Sequence, residues 1–494
     1  MHASNLGNQR FTKSWITGGL CEIKYPSLVL SLSRNYIFAF TKKNIFNQYI
    51  RYTTAQAKKA EDDYDYPDDL PLVVLNRRKA LVDPMAAPEL RLSSSVFGQL
   101  FDELHFLEAP LLRMGYMHPM DDGQERTFKV KFDGEGVDDY GGPYREVFAQ
   151  IPSELQAFKC SPDSSRTTCY LPVFQPTPNT ASDTELDVPK FILRPQYTAP
   201  MYLELCNFLG QLVGIALRSK ALMPLEFPPI IWKVLVGEDA NAHDLASFDR
   251  DALMMLKRIS DIYEAWCKDD IRPRETPADP SAGFFWVSNL SDGTSVELHP
   301  SGSSELVNMS DIPLFLKVSS ECRLQESKFA MLAMRTGLSC VIPPCVLQLL
   351  SWAELEKKVC GTPGIDIELL KQNTEYDDDI QPNDNHITLF WDALRSFTGH
   401  ERSIFLRFVW ARTRLPPTQM EFTQKFKIQA AIGDGPRESP NKYLPKAHTC
   451  FFSLNLPKYS SHEVMVSKLR YAMFNCIEMD ADFKLTDTEL AAWS

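Results

Sequence analysis

No two cysteines in this chain are spaced as Cys-x-x-Cys, and no Cys/His cluster stands at zinc-ligand spacing, although eleven cysteines are scattered over 494 residues. That odd, dispersed set argues against a disulfide framework and for reduced thiols, so the expected setting is cytoplasmic, with the nucleus open. No Gly-x-Gly-x-x-Gly opens a helix, which removes the usual phosphate-binding fingerprint. The longest apolar run of the N-terminal part, residues 27–40, is broken by Arg34 and Asn35 and falls short of the ~20 residues a membrane helix needs. A net positive charge is also lacking. The formal charge is -12, and an acidic body disfavours nucleic acid as a partner. No metal, cofactor, nucleic acid or membrane span is expected.

What is present is enough for an enzyme. A chain of this length that is 44% hydrophobic should form two or three packed units. Its charge is uneven: residues 1–60 hold nine Lys/Arg against Glu22 alone, a balance of +8 that leaves -20 for the rest. Three readings of that basic stretch stay open: an unstructured arm, a transit-peptide-like segment, or sequence that never belonged to a folded unit. Residues 61–69 (EDDYDYPDD) form an acidic, turn-rich linker, so residues 1–90 are expected to be largely disordered.

Periodicity then predicts packed elements. Apolar residues recur at helical spacing over 97–114, and residues 127–132 alternate as a strand does. A Gly- and Asp-dense loop spans 133–143, and residues 159–188, rich in Pro, Ser and Thr, read as an irregular excursion. Pro200 opens a helix apolar on nearly every side, which should be central and buried. A short helix over 230–236 should stop at Gly237. Residues 240–335 change to shorter strands and turns and read as a small subdomain. The polar segment 377–386 should bend between two packed bodies. The last hundred residues read as a separate small domain with two amphipathic helices, a strand at 425–430, and a final helix capped by Ser460 with Glu463.

Cys450 has two readings on pattern alone. It shares a period of two with Phe452, Leu454 and Leu456, so it could face one core with them. Alternatively, a Leu-Pro-Lys-Ala lead-in that cannot be a regular strand, with His448 two residues away, would suit a reactive thiol. A free thiol of pKa ~8.5 is only a few per cent thiolate at neutral pH, and a neighbouring imidazolium or exposed amide dipoles raise that fraction.

Leu444-Pro445-Lys446-Ala447-His448-Thr449-Cys450-Phe451, followed by Leu456-Pro457-Lys458-Tyr459-Ser460, closely resembles the active-site block of HECT-type ubiquitin ligases. Further blocks match in order. Asp133-Gly134-Glu135-Gly136-Val137-Asp138 with Gly141-Gly142-Pro143-Tyr144-Arg145-Glu146 resembles the family's N-lobe loop. Phe208-Leu209-Gly210-Gln211-Leu212-Val213-Gly214 resembles its central helix, and Leu298-His299-Pro300-Ser301-Gly302 its subdomain turn. Val359-Cys360-Gly361 with Ile365-Asp366 and Glu375-Tyr376 precedes the hinge, and Phe405-Leu406-Arg407-Phe408-Val409 through Arg414-Leu415-Pro416 opens the C-lobe.

The resemblance implies an α+β, bilobal HECT fold. A larger, mostly helical N-lobe covers 95–376, with a small conjugating-enzyme-docking subdomain at 240–335. A hinge covers 377–386, and a smaller α/β C-lobe covers 387–494 with the catalytic cysteine. It implies that Cys450 accepts ubiquitin from a conjugating enzyme (E2) as a glycyl thioester and passes it to lysines of a protein substrate. His448 is a candidate for tuning that thiol. The rivals are a silent HECT-like scaffold that binds E2 or ubiquitin, and a cysteine hydrolase, for which His448 is too close in sequence to serve as an ordinary base.

Gly141-Gly142 reads as a tight turn, and Arg145 with Glu146 as anchors of that loop to the helix after it. Phe284, Phe285 and Trp286 are either core or docking residues. Three departures stand out: Trp410-Ala411 where many members have Thr-Gly, a tail with Trp493 where a subset has a near-terminal Phe, and the excursion at 159–188, an elaboration on the compact pattern. HECT modules usually end longer proteins, so this chain is expected to be a fragment or a short isoform.

Overall fold

The computed structural model describes residues 34–56, 67, 69–81, 85–118, 125–134, 142–159, 168–182, 188–268, 284–431 and 438–475. The glycine-dense segment 135–141, the turn at 433–436 and the tail with Trp493 lie outside them. In chain order the longer helices and the strands discussed below are α1 (Ala39–Thr53), β1 (Leu72–Leu75), α2 (Val96–Leu104), β2 (Lys129–Phe132), α3 (Gly142–Gln156), α4 (Pro200–Ser219), α5 (Pro229–Val236), α6 (Arg250–Lys268), β3 (Val287–Asn289), β4 (Ser295–Glu297), α7 (Ile312–Leu324), α8 (Lys328–Val341), β5 (Thr374–Tyr376), α9 (Asn385–Ser396), α10 (Gly399–Trp410), β6 (Phe426–Ala430), β7 (Lys446–His448), β8 (Ser453–Leu456) and α11 (His462–Asn475). They divide into two compact units: one of Met1–Ala55, Arg78–Met114 and Gln150–Val359, the other of Gln56–Arg77, Gly115–Ala149 and Cys360–Ser494.

The first unit is built on α4, which is buried from Phe208 to Ser219. By length and composition it could cross a membrane, but 72% of its apolar window is covered by the rest of the unit. Its main neighbour is α8, and the two helices meet at backbone distance. A Cβ on Gly210 would be driven into the Met334 carbonyl, and one on Gly337 into that of Asn207. Helix α5 ends at Gly237, whose φ of 72° suits a residue without a Cβ.

Within residues 240–335 the expected run of short strands is a correction. Among the described residues β3 and β4 pair there, antiparallel, with a single further bridge between Phe285 and Leu306, while α6, α7 and the start of α8 are the longer elements. A small separate core of Ile259, Trp286, Ile312 and Phe315 marks the subdomain. Trp286 thus belongs to the core, whereas Phe284 is 40% exposed.

The N-terminal arm is not disordered throughout. Helix α1 lays Lys42, Phe46 and Tyr49, spaced i, i+4, i+7, against the unit. Lys42 Nζ lies 2.7 Å from Glu354, and Arg34 Nη1 lies 2.9 Å from Glu238. Arg218 donates to the Ile50 carbonyl at 3.1 Å and to the Thr54 hydroxyl at 2.9 Å. Two cations of the basic stretch, Arg34 and Lys42, find acidic partners, and Lys42 sits on the buried stripe that a polar count leaves out.

The second unit holds a four-stranded sheet of order β5-β6-β8-β7. β5 and β8 run parallel to β6, and β7 runs antiparallel to β8. Helices α9, α10 and α11 share its core, with Phe390, Trp391, Phe405, Leu406, Met465 and Leu469 all buried. β1 and β2 pair in parallel as a second, two-stranded sheet.

Two expected boundaries move. Residues 360–376 group with the C-terminal unit because Ile365, Ile367 and Leu370 join its core and β5 joins its sheet. The segment 377–386 packs against the C-terminal unit. Ile380 is 2% exposed, and the amide of Asp377 donates to the Ile428 carbonyl at 3.0 Å. One aliphatic side chain among polar neighbours was enough to seat it. Helix α2 also stops at Leu104, short of the predicted 114, with a separate 3₁₀ turn at Leu111–Arg113.

Candidate active site

The block around Cys450 folds as an edge strand, a turn and a buried strand. Pro445 precedes β7, where its missing N–H costs nothing, and β7 then pairs Lys446 with Asn455, Ala447 with Leu454 and His448 with Ser453. The lead-in therefore does form a short strand, against expectation. Its start is pinned from the far side of the block. Asn441 Nδ2 donates to Ser460 Oγ at 2.7 Å, the Ser460 amide donates back to Asn441 Oδ1 at 3.1 Å, and the Tyr459 hydroxyl donates to the Tyr443 carbonyl at 2.8 Å. Ser460 is thus engaged elsewhere. The cap of α11 is Ser461, whose hydroxyl accepts from the Val464 amide, a shift of one residue from the predicted capping box.

Cys450 is the middle residue of the 3₁₀ turn Thr449–Phe451 that joins β7 to β8. The turn closes on Phe452, whose φ of 46° and ψ of 53° are left-handed. For a bulky L-residue such a conformation costs about 1–3 kcal/mol and persists only where the surroundings over-determine it. It also breaks the alternation. Phe452, Leu454 and Leu456 share the core as their spacing predicted, but Cys450 lies one turn before the strand and outside its register.

Three surrounding groups fix the turn. The Phe452 amide donates to the Thr449 carbonyl at 3.4 Å. The same carbonyl accepts from Arg145 Nη2 at 2.9 Å, a charge-assisted bond from a side chain only 1% exposed. The Phe452 ring lies 4.0 Å from that of Trp410, with 6° between the planes. Arg145 therefore reaches the turn that carries Cys450, a contact the sequence did not announce. Glu146 next to it pairs with Arg77, just after β1, at 2.7 Å. His448 ends β7 with its side chain exposed.

Arg145 and Trp410 were quoted in the sequence but not placed at the site. Arg145 carried no signal beyond the Arg-Glu after the glycines. Trp410 stood out as a departure without a location. Phe452 offered none, since left-handed turns are normally announced by Gly or Asn.

A buried guanidinium bonded to the carbonyl one residue before Cys450, on a strained turn at the rim of a mixed sheet, is set in an α+β chain of two units. The family model described as HECT-domain (ubiquitin-transferase) matches residues 153–482, and the chain belongs to that family. It is similar to the E3 ubiquitin-protein ligase HERC2 of Mus musculus, 31% identical over 92% of this chain and 9% of the relative. The probable E3 ubiquitin-protein ligase HECTD4 of Homo sapiens is 31% identical over 70% of this chain and 9% of its own length. RSP5 of Chaetomium thermophilum is 26% identical over 71% and 39%. The chain thus spans about a tenth of the first two relatives.

Proposed function

We propose that the chain is the catalytic module of a ubiquitin ligase, with Cys450 as the acceptor of ubiquitin. The Cys450 thiolate attacks the carbonyl of the thioester between ubiquitin and the conjugating enzyme, and the conjugating enzyme's thiolate leaves. A substrate lysine, as the free amine, then attacks the new thioester. An amide bond forms, the Cys450–carbonyl bond breaks, the thiolate is regenerated and the amine's proton passes to solvent. The first step exchanges like for like, and amide formation drives the second.

The observation that carries this reading is the placement of Cys450 on the turn that Arg145 and Phe452 hold. A backbone fixed in this way presents the thiol in one place. His448, exposed at the end of β7, is assigned a tuning role on its position alone. The subdomain within 240–335, with half-exposed Phe284, is the proposed docking surface for the conjugating enzyme. The lysine-bearing substrate is a protein, and the cytoplasm, with the nucleus open, is the proposed location.

The test is a non-reducing gel after incubation with charged conjugating enzyme. A thiol-sensitive ubiquitin adduct is expected for the native chain and absent from Cys450→Ala. An adduct of equal yield on Cys450→Ala would overturn the assignment.

A further inference from the structure

We propose that Trp410 is a positioning residue for the nucleophile, holding Phe452 in its left-handed conformation and so setting where Cys450 stands. The proposal rests on the reading of Cys450 as the ubiquitin acceptor, and goes beyond it by assigning the turn's geometry to a residue 40 positions away in sequence.

Trp410 is the last residue of α10, and the chain leaves the helix at Ala411, itself left-handed at φ 56°. The indole is fully buried and cannot turn freely. Its Nε1 donates to Gln424 Oε1 at 3.0 Å, and the Arg412 guanidinium carbon lies 4.2 Å from its ring centroid. Phe452 and Phe422 both stack on it at 6° between planes, Phe452 at the shorter centroid distance of 4.0 Å. Phe426 closes on Phe452 at 5.0 Å.

A phenylalanine has none of the relief that glycine finds in the left-handed region, so the seat of its ring must supply the restraint. β8 begins immediately after Phe452 and is buried throughout. Any relaxation of Phe452 therefore rotates the turn before it, not the strand after it. Consecutive Cα atoms are ~3.8 Å apart, so Cys450 sits up to about 7 Å from the pivot, and a 20° relaxation displaces it by roughly 2 Å. Misplacement of about 1 Å at a reacting atom can cost a hundredfold in rate.

Hydrogen exchange on the full chain tests the hold without any ubiquitin chemistry. In Trp410→Leu the amides of residues 449–453 should exchange at least tenfold faster than in the native chain, with those of α4 unchanged. Single-turnover loading of Cys450 from charged conjugating enzyme should slow at least tenfold in Trp410→Leu and stay within threefold in Trp410→Phe, which keeps a ring to stack on. Should Trp410→Leu fail to fold, Phe452→Gly and Phe452→Ala replace it. Both lose the stack, but only alanine keeps the strain, so glycine should load at least threefold faster.

Unchanged exchange in Trp410→Leu, equal loss in its Leu and Phe variants, or equal loading by the two Phe452 variants would each overturn the role of Trp410. A native chain that forms no Cys450 adduct would overturn the reading of Cys450 instead, and the exchange result would still decide what Trp410 does.

Discussion

The α4–α8 pair of the first unit and the β7–turn–β8 segment of the second keep their geometry by opposite means. In the helix pair the backbone is regular and the contact is so close that glycine leaves no space for a Cβ. In the turn the backbone is irregular, and a bulky residue is held at positive φ by a ring stack and a buried guanidinium. The first arrangement fixes two elements relative to each other. The second fixes one residue, and it lies where the chemistry is proposed. Strain is placed beside Cys450 and is absent from the helix contact on which the larger unit depends.

The most damaging single change should therefore fall on the helix pair, far from Cys450 in sequence. Gly337→Val would force two backbones apart, since its Cβ would meet the Asn207 carbonyl. A loss of about 3 kcal/mol or more is expected, as for severe overpacking of a well-filled core. Urea denaturation measures it. Native stability in this variant would mean that α4 and α8 separate without cost, and the contrast with the turn would fall.

The complementary change is Arg145→Gln, which removes the charge but keeps a donor near Thr449. A hydrogen bond to a charged group contributes about 1.5–3 kcal/mol. Here most of that should appear as rate, a tenfold or greater slowing of ubiquitin loading. Arg145→Lys should recover part of it. Loading at the native rate in Arg145→Gln would show that the turn stands without the guanidinium and that Phe452 alone restrains it.

These two changes also mark what could be read from the sequence. Helix α4 was legible because its apolar residues leave no polar face, and a helix of that kind has to be central. Phe452, Leu454 and Leu456 were legible as a buried row from their period of two. The turn that separates Cys450 from that row was not, because nothing in Thr-Cys-Phe-Phe announces a left-handed residue. Helix α1 was missed because Lys42 occupies a core-facing position that only its pairing with Glu354 makes tolerable. The seating of the segment 377–386 was not legible because composition counts residues, while Ile380 needs only one pocket. Sequence pattern reports periodicity well, and it is silent wherever a single long-range partner decides the outcome.

His386 lies in that segment and gives the comparison a pH dimension. Its side chain is buried at the start of α9. Burial lowers its pKa, the charge of Lys458 lowers it further, and Asp384 opposes both. Above the ordinary value of ~6.5 the ring is neutral in both the folded and unfolded states and contributes no pH dependence. As pH falls from there toward the lowered folded value, the unfolded chain takes up a proton that the folded chain refuses, so stability declines across that window. Denaturation at pH 7.5 and 5.5 should show the decline, and His386→Gln should flatten it. An unchanged slope in the variant would place the pH sensitivity elsewhere.

The smallest expected effect belongs to a pair that looks strong on distance alone. Lys425 Nζ lies 2.6 Å from Glu375 Oε1, across the β5–β6 step of the same sheet, but the two side chains are 57% and 49% exposed. Water and salt screen such a pair, and ordering two long side chains offsets much of the attraction, so Lys425→Ala should cost no more than about 0.5 kcal/mol. Half-molar salt should erase even that, because screening then acts over a few ångströms. The Arg145 bond to Thr449, although longer at 2.9 Å, should matter more, because its guanidinium is buried. Denaturing the Lys425→Ala variant at low and high salt checks the claim. A salt-independent loss above 1 kcal/mol would mean that exposed ion pairs help to hold this sheet together, and that its rigidity does not come from the buried core and turn alone.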